Sequence, residues 1–294
     1  MRDMDHQKYI QARDGVQLGY RLSRAEGAKH TLVMLNGLAS NLTRWSEFVA
    51  GSALRTRWNL LRVDRRGHAS SMYRGRISRP IWVEDLHQLI EHEASAPVVL
   101  LAHSLGCEVA LDYALRYAQN VAGLILIDPV FPENLSGPLA RFRVLRRLVW
   151  IPVLLLWLFN RLGVRRRHFP SRDLRALDRQ TRERLASEPQ LKIGDLYTRP
   201  LVDLSYLPLA NYLQELYEAG RALPPLSSIR QPVLALISTG TAPDVRRRNE
   251  ARIGQLPDVE CQWIECDHWP LTEKPEEVRE GIDGWCLQKF GDSQ

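Results

Sequence analysis

Residues 98–115 read VVLLAHSLGCEVALDYAL. Val98–Ala102 is an unbroken apolar run of strand length, and from Leu105 to Ala118 apolar residues recur at three- and four-residue spacing, the mark of a helix. The chain must therefore swing from strand to helix at His103-Ser104. Working outward, similar short apolar runs appear at Val16–Leu22, Thr31–Leu35, Asn59–Val63, Leu124–Ile127 and Val233–Ile237, with a weaker one at Val259–Ile264. Strands this apolar are buried on both faces, as in a parallel sheet. Helical patterns at Trp45–Leu54, Trp82–Glu93 and Pro275–Phe290 lie between them. The alternation predicts an α/β fold, a doubly wound and mostly parallel sheet with helices on both faces. In such sheets chemistry gathers beyond the carboxyl ends of the strands. The pattern breaks between about Phe131 and Leu226, which reads as an inserted α-helical cap. The expected organisation is a core of residues 1–130 and 226–294 with a cap of residues 131–225.

The turn Ala102-His103-Ser104-Leu105-Gly106 resembles the nucleophile elbow of the α/β-hydrolase family, with Ala where the first glycine usually stands. Small residues flank the serine because the turn is too tight for side chains there. The helix that follows aims free N–H groups at the site, where they favour developing negative charge. A serine hydroxyl needs a base. The segment Cys266-Asp267-His268-Trp269-Pro270-Leu271-Thr272-Glu273-Lys274-Pro275 resembles the family's histidine loop, and the resemblance makes His268 the base. Chain order in the family is Ser, acid, His. Asp244, in the segment after Val233–Ile237, is the expected acid; Asp128, after Leu124–Ile127, is the alternative. The resemblance also implies an oxyanion hole from the backbone N–H groups of Leu105 and Leu38, the latter in Asn36-Gly37-Leu38. Asp64-Arg65-Arg66-Gly67-His68-Ala69-Ser70 matches a further family segment, in which Asp64 and Arg66 are expected to brace the loops around the elbow.

The implied activity is that of a serine hydrolase cleaving an apolar carboxylic ester or thioester through an acyl-enzyme. No metal and no organic cofactor is expected. Relatives with this fold also include C–C bond hydrolases, acyltransferases and cofactor-free haloperoxidases, which fold and triad do not distinguish. A non-catalytic, membrane-associated binding protein is the reading from a different class.

The 294 residues are 45% hydrophobic and 25% charged, which excludes disordered, collagen-like and disulfide-scaffold chains. The charge of +6 is unevenly placed. Residues 141–184 hold 13 arginines, no lysine and three acids, a local +10, so the remainder carries −4. Inside this basic stretch, residues 148–159 carry no charge. As a helix they would span about 18 Å, against about 30 Å of bilayer hydrocarbon, too short to cross. Arg143, Arg146 and Arg147 precede the run and Arg165, Arg166 and Arg167 follow it. Trp150 and Trp157 suit a water–lipid boundary. Two readings stand: a lid packed over the site with its apolar face lining the pocket, or a lid that also docks on an anionic bilayer. Both expect an apolar ester or lipid substrate, and neither requires nucleic acid. The four cysteines form no CxxC or zinc spacing, so free thiols in a reducing cytoplasm are expected, and the docking reading places the chain peripherally on the inner membrane face.

Overall fold

A computed structural model describes residues 6–94, 97–134, 146–188, 190–197 and 200–291. The strands are β1 (Lys8–Gln11), β2 (Gln17–Ser23), β3 (His30–Leu35), β4 (Trp58–Val63), β5 (Val98–His103), β6 (Val121–Ile127), β7 (Val233–Ser238) and β8 (Val259–Ile264). They form one sheet in the order β1-β2-β4-β3-β5-β6-β7-β8. β1 and β2 pair antiparallel, as do β2 and β4, and every later pairing is parallel.

Alternate residues of the central strands serve two separate cores, as a period of two requires. Val33, Leu35, Leu100, Ala102, Leu124 and Leu126 face one side. There they meet Trp82, Leu86 and Ile90 of α2 (Arg79–Glu93) and Val109 and Ala110 of α3 (Leu105–Arg116). Leu32, Met34, Val99, Leu101, Ile125 and Ile127 face the other. Their partners include Phe48 of α1 (Ser46–Gly51) and Val278, Ile282 and Trp285 of α11 (Pro275–Phe290). The sheet is thus doubly wound, as the alternating pattern predicts.

Two differences have physical causes. β1 has four residues, mostly exposed, at a sheet edge, so no buried pattern announces it. The stretch Trp45–Leu54, expected as one helix, is broken. Ser52 takes an extended conformation, its hydroxyl accepts the Leu54 N–H, and it donates to Asp283.

Between β6 and β7 the described residues form α4 (Trp150–Arg161), α5 (Leu174–Ser187), α6 (Ile193–Tyr197), α7 (Pro200–Asp203) and α8 (Leu209–Ala219). α8 turns a polar face inward. Asn211, Gln214, Glu215 and Glu218 are all buried. Asn211 donates to the Gly67 and Tyr73 carbonyls, Gln214 accepts from the Ile77 N–H, and Glu218 accepts from the Arg79 N–H. α5 and α6 are tied by a second buried cluster in which Asp178 and Tyr197 meet Arg44 and Thr272. After β7 come α9 (Pro243–Ile253) and, following β8, α10 (Pro270–Glu273).

Candidate active site

β5 delivers Ser104 into α3 through a turn in which Ser104 sits at φ +51°, ψ −122°. Positive φ in a non-glycine residue costs of order 1–3 kcal/mol and persists only where the surroundings enforce it. Here they do. A Cβ on Gly106 would lie 2.7 Å from the Leu35 carbonyl oxygen and 2.8 Å from that of Asn36, so only glycine lets α3 start this close to β3. The Ser104 N–H is anchored to the Ile127 carbonyl at 3.0 Å. The strain thus presents one hydroxyl at the carboxyl edge of the sheet.

His268 arrives on the loop between β8 and α10. Its Nε2 is 3.0 Å from Ser104 Oγ. His103 holds that loop: its Nε2 lies 3.2 Å from the His268 carbonyl oxygen. Burial, then the neighbouring His268, pushes the His103 imidazole down to about 3. A neutral ring with a carbonyl opposite Nε2 carries its proton there, so His103 acts as a fixed donor.

Asp128, not Asp244, faces the other side of His268. Asp128 Oδ2 is 3.5 Å from His268 Nδ1 and has no other partner among the described residues. The Asp128 backbone sits at φ +44°. Its N–H donates to the Leu236 carbonyl at 2.9 Å, and its Oδ1 accepts from the Ser238 N–H at 2.7 Å. The carboxylate is therefore pinned across the ends of β6 and β7. Burial pushes its pKa up, but His268 and the Ser238 donor outweigh burial and hold it below the ordinary value. The structure does not bring Asp244 to His268. Asp244 lies in the first turn of α9, more than half exposed, with its carboxylate 3.0 Å from Arg248. The physical reason lies in the preceding loop. A Cβ on Gly240 would meet Asp267 Oδ1 at 2.3 Å, and the Gly240 N–H bonds the Cys266 carbonyl at 2.9 Å. The segment after β7 is spent on bracing the histidine loop, and the following helix carries Asp244 into solvent.

The Leu105 N–H is the first of α3 and has no carbonyl within its own helix to bond. Leu38 lies between two anchored neighbours. The Gly37 carbonyl accepts from Arg65 at 2.7 Å, and the Ala39 N–H donates to Glu215 at 3.0 Å. Arg65 and Glu215 pair at 2.8 Å, both buried. Burial raises the Glu215 carboxyl, yet His68 and Arg65 hold it below the usual range. Asn36 donates to the Val63 carbonyl at 2.7 Å. Asp64 accepts from the N–H groups of Leu42 and Ser70, so it does brace this loop. Arg66 instead pairs with Asp85 and Asp14. Sequence reasoning missed Arg65 and Glu215 as shapers of the Leu38 loop. Arg65 stood in a recognisable segment; nothing in the sequence marked Glu215, 150 residues away.

Ser104 and His268 lie at the junction of two cavities. One, of 380 Å³, is walled by Leu38, Leu105, Phe131, Leu216, Ile237 and Ile253. The other, of 250 Å³, is lined by polar groups including Ser40, Arg44, Arg172, Tyr197 and Tyr212. Residues of α8, not of α4, line the apolar cavity, so the apolar run 148–159 does not form its wall. Arg143 lies outside the described residues. Arg146 stacks on Tyr217 and Arg166 on Phe169, while Arg147, Arg165 and Arg167 are exposed. Among the described residues, no three His, Cys, Asp or Glu side chains are grouped to hold a metal, and no helix is long and apolar enough to cross a membrane.

Glu273, at the end of α10, offers a pH test of the histidine loop. Its Oε1 accepts from the Asp267 N–H at 3.0 Å. Burial, then Asp267, pushes its carboxyl from 4.5 up to about 7. A raised carboxyl favours the protonated fold, so this contribution is fully present below pH about 4.5 and lost as pH rises through 7. The group is partly exposed, and solvent screening leaves about 1 kcal/mol. Glu273→Gln is expected to raise Tm by about 2 °C at pH 8 and to leave it unchanged at pH 4. Thermal melts giving the same shift at both pH values would remove this account.

A family model described as "Alpha/beta hydrolase family" matches residues 32–280. Among curated proteins, the mouse sn-1-specific diacylglycerol lipase ABHD11 is 29% identical over 111 residues, 38% of this chain and 36% of that protein. A probable lysophospholipase L2 of Haemophilus influenzae is 27% identical over 143 residues, 45% of each. The chain thus aligns with less than half the length of these relatives. Among solved structures, a thermophilic esterase from Thermogutta terrifontis superposes with a TM-score of 0.67 at 22% identity, covering 97% of this chain and 99% of that one. A hydrolase from Pseudomonas aeruginosa gives 0.68 at 20% identity, covering 98% and 100%.

Proposed function

Because the chain belongs to the alpha/beta hydrolase family, we propose that it is a serine hydrolase that cleaves an apolar carboxylic ester or thioester through an acyl-enzyme. The observation that carries this reading is the 3.0 Å approach of Ser104 Oγ to His268 Nε2 at the mouth of a cavity walled by aliphatic side chains.

In this mechanism Ser104 Oγ attacks the carbonyl carbon while His268 Nε2 takes its proton. The carbonyl oxygen gains negative charge and is met by the N–H groups of Leu105 and Leu38. Asp128 orients the ring through Nδ1–H and stabilises its charged form. As the tetrahedral adduct collapses, the bond to the alcohol or thiol breaks and His268 returns the proton to it. Water then repeats the sequence on the acyl-enzyme, releasing the acid and restoring the Ser104 hydroxyl. The acyl chain occupies the 380 Å³ cavity, and the leaving group the polar 250 Å³ cavity. Residues 131–225 act as the cap. The names of the two relatives, a diacylglycerol lipase and a probable lysophospholipase, support an acyl ester of lipid type. Exposed apolar residues on α4 support uptake of that substrate from a lipid surface, with the chain peripheral on the cytoplasmic face.

Purified protein is expected to hydrolyse p-nitrophenyl esters, with longer acyl chains preferred over acetate, and to be labelled by a fluorophosphonate probe. A folded protein that does neither would end the hydrolase reading.

A further inference from the structure

α4 has two apolar sides where a surface helix needs one. On the inner side Val149 and Val153 are buried, and Trp150 stacks edge-on against Tyr217 of α8 at 5.6 Å. On the outer side Ile151, Leu154, Leu155, Leu158, Phe159 and Leu162 are each 48–68% exposed. Their spacing of three and four residues makes them one stripe. A contiguous apolar stripe of this kind marks a contact surface.

Beside the stripe, an open cavity of 810 Å³ separates α4 from the loop at residues 74–76. Arg74, Arg76, Arg161 and Arg165 line it together with Leu154 and Leu158. No carboxylate pairs with any of these four arginines among the described residues. Two of the guanidinium groups are nonetheless held in place. Arg74 donates to the Arg167 carbonyl at 3.2 Å and stacks on Phe169, and Arg76 stacks on Trp150. Burial, then Arg165, holds Arg74 below the usual guanidinium range, as expected of like charges gathered without a counter-ion.

We infer that this cavity binds the phosphate of an anionic lipid headgroup while the α4 stripe enters the acyl layer beneath it. Leu154 and Leu158 belong to both features, so the cations and the apolar stripe open in the same direction. That layering, charge just above hydrocarbon, is the layering of a bilayer surface. Guanidinium forks suit phosphate oxygens, and four of them match a negative partner. A second copy of this chain fits less well. Laid face to face on the same stripe, it would add four more guanidinium groups to the seam. A free phosphate would fill the cavity and leave the stripe bare.

The inference rests on uptake from a lipid surface and is independent of the hydrolase chemistry. The test is co-sedimentation of the full chain with vesicles of phosphatidylcholine alone or with 30% phosphatidylglycerol, with circular dichroism melts on every variant. Wild type is expected to bind the anionic vesicles more tightly. Removing two surface arginines at about 1 kcal/mol each predicts that R74Q/R76Q weakens this binding about 30-fold. R161Q/R165Q should do the same by a route that spares the 74–76 loop. The charge-matched control R57Q/R230Q, at the amino ends of β4 and β7 on the opposite edge of the sheet, should bind as wild type does. Equal wild-type binding to both vesicle types would overturn the headgroup site while sparing lipid uptake, and binding to neither would overturn both. A control that loses as much as R74Q/R76Q would replace the site with diffuse charge. Millimolar inorganic phosphate that displaces the protein without added ionic strength would assign the cavity to a soluble ligand. Self-association without lipid, abolished by L154D/L158D, would assign the stripe to a second copy.

Discussion

Ser104→Ala is expected to lower kcat for a p-nitrophenyl ester by at least about 10³-fold and to abolish fluorophosphonate labelling, with KM little changed. Losses of this size follow when one member of a nucleophile–base pair is removed, because the remaining members have nothing to act on. The substitution keeps the Cβ and removes only Oγ, so it leaves the Gly37 and Gly106 packing around the elbow intact. Its effect on stability should be small and of either sign. The turn remains strained at φ +51°, and the lost hydroxyl takes with it one contact to His268. Burst-phase kinetics and intact-mass measurement of the labelled protein separate the outcomes. Full activity in the alanine variant, or a label mapped elsewhere, would remove Ser104 as nucleophile.

The second large effect distinguishes two carboxylates. Asp128→Asn is expected to lower kcat about 10³- to 10⁴-fold, by the loss that attends a wrongly held imidazole tautomer. The amide keeps an oxygen that can accept from the Ser238 N–H, so the β6–β7 junction is retained while the negative charge beside His268 Nδ1 is lost. Asp244→Asn should change kcat less than twofold, since its carboxylate is exposed and pairs with Arg248 at the surface. Parallel kcat and KM measurements on the two variants decide the matter. A large loss at residue 244 with little at 128 would reverse the assignment drawn from geometry.

The contrast between these two residues shows what was legible. Ser104 and His268 each sit in a continuous segment whose local pattern announces a turn: an apolar strand running into a helix for one, Glu-Lys-Pro opening the last helix for the other. The structure sets them 3.0 Å apart. The acid has no such local signature. Asp128 and Asp244 both follow strands at the same edge of the sheet, and strand order alone favours neither. What separates them is a single glycine packed against Asp267 and a helix that starts at Pro243, features of three-dimensional fit. The parallel sheet was readable because its strands are apolar on both faces, whereas the exposed edge strand Lys8–Gln11 was not. Periodicity also marked the run 148–159 as apolar but could not tell which side of α4 would meet α8 and which would meet solvent.

The inward polar face of α8 limits how far the part between β6 and β7 can be exchanged. Glu215 reaches out of that part to Arg65 and to the Ala39 N–H, on either side of the Leu38 amide. A foreign lid grafted at residues 131 and 225 would bring its own substrate preferences. Unless it also supplied an acid at this place, it would strand a buried guanidinium and loosen the Leu38 peptide, which receives the oxyanion in the proposed mechanism. On the proposed reading, lid and reaction centre are one machine part, and a chimera would have to keep a carboxylate facing Arg65.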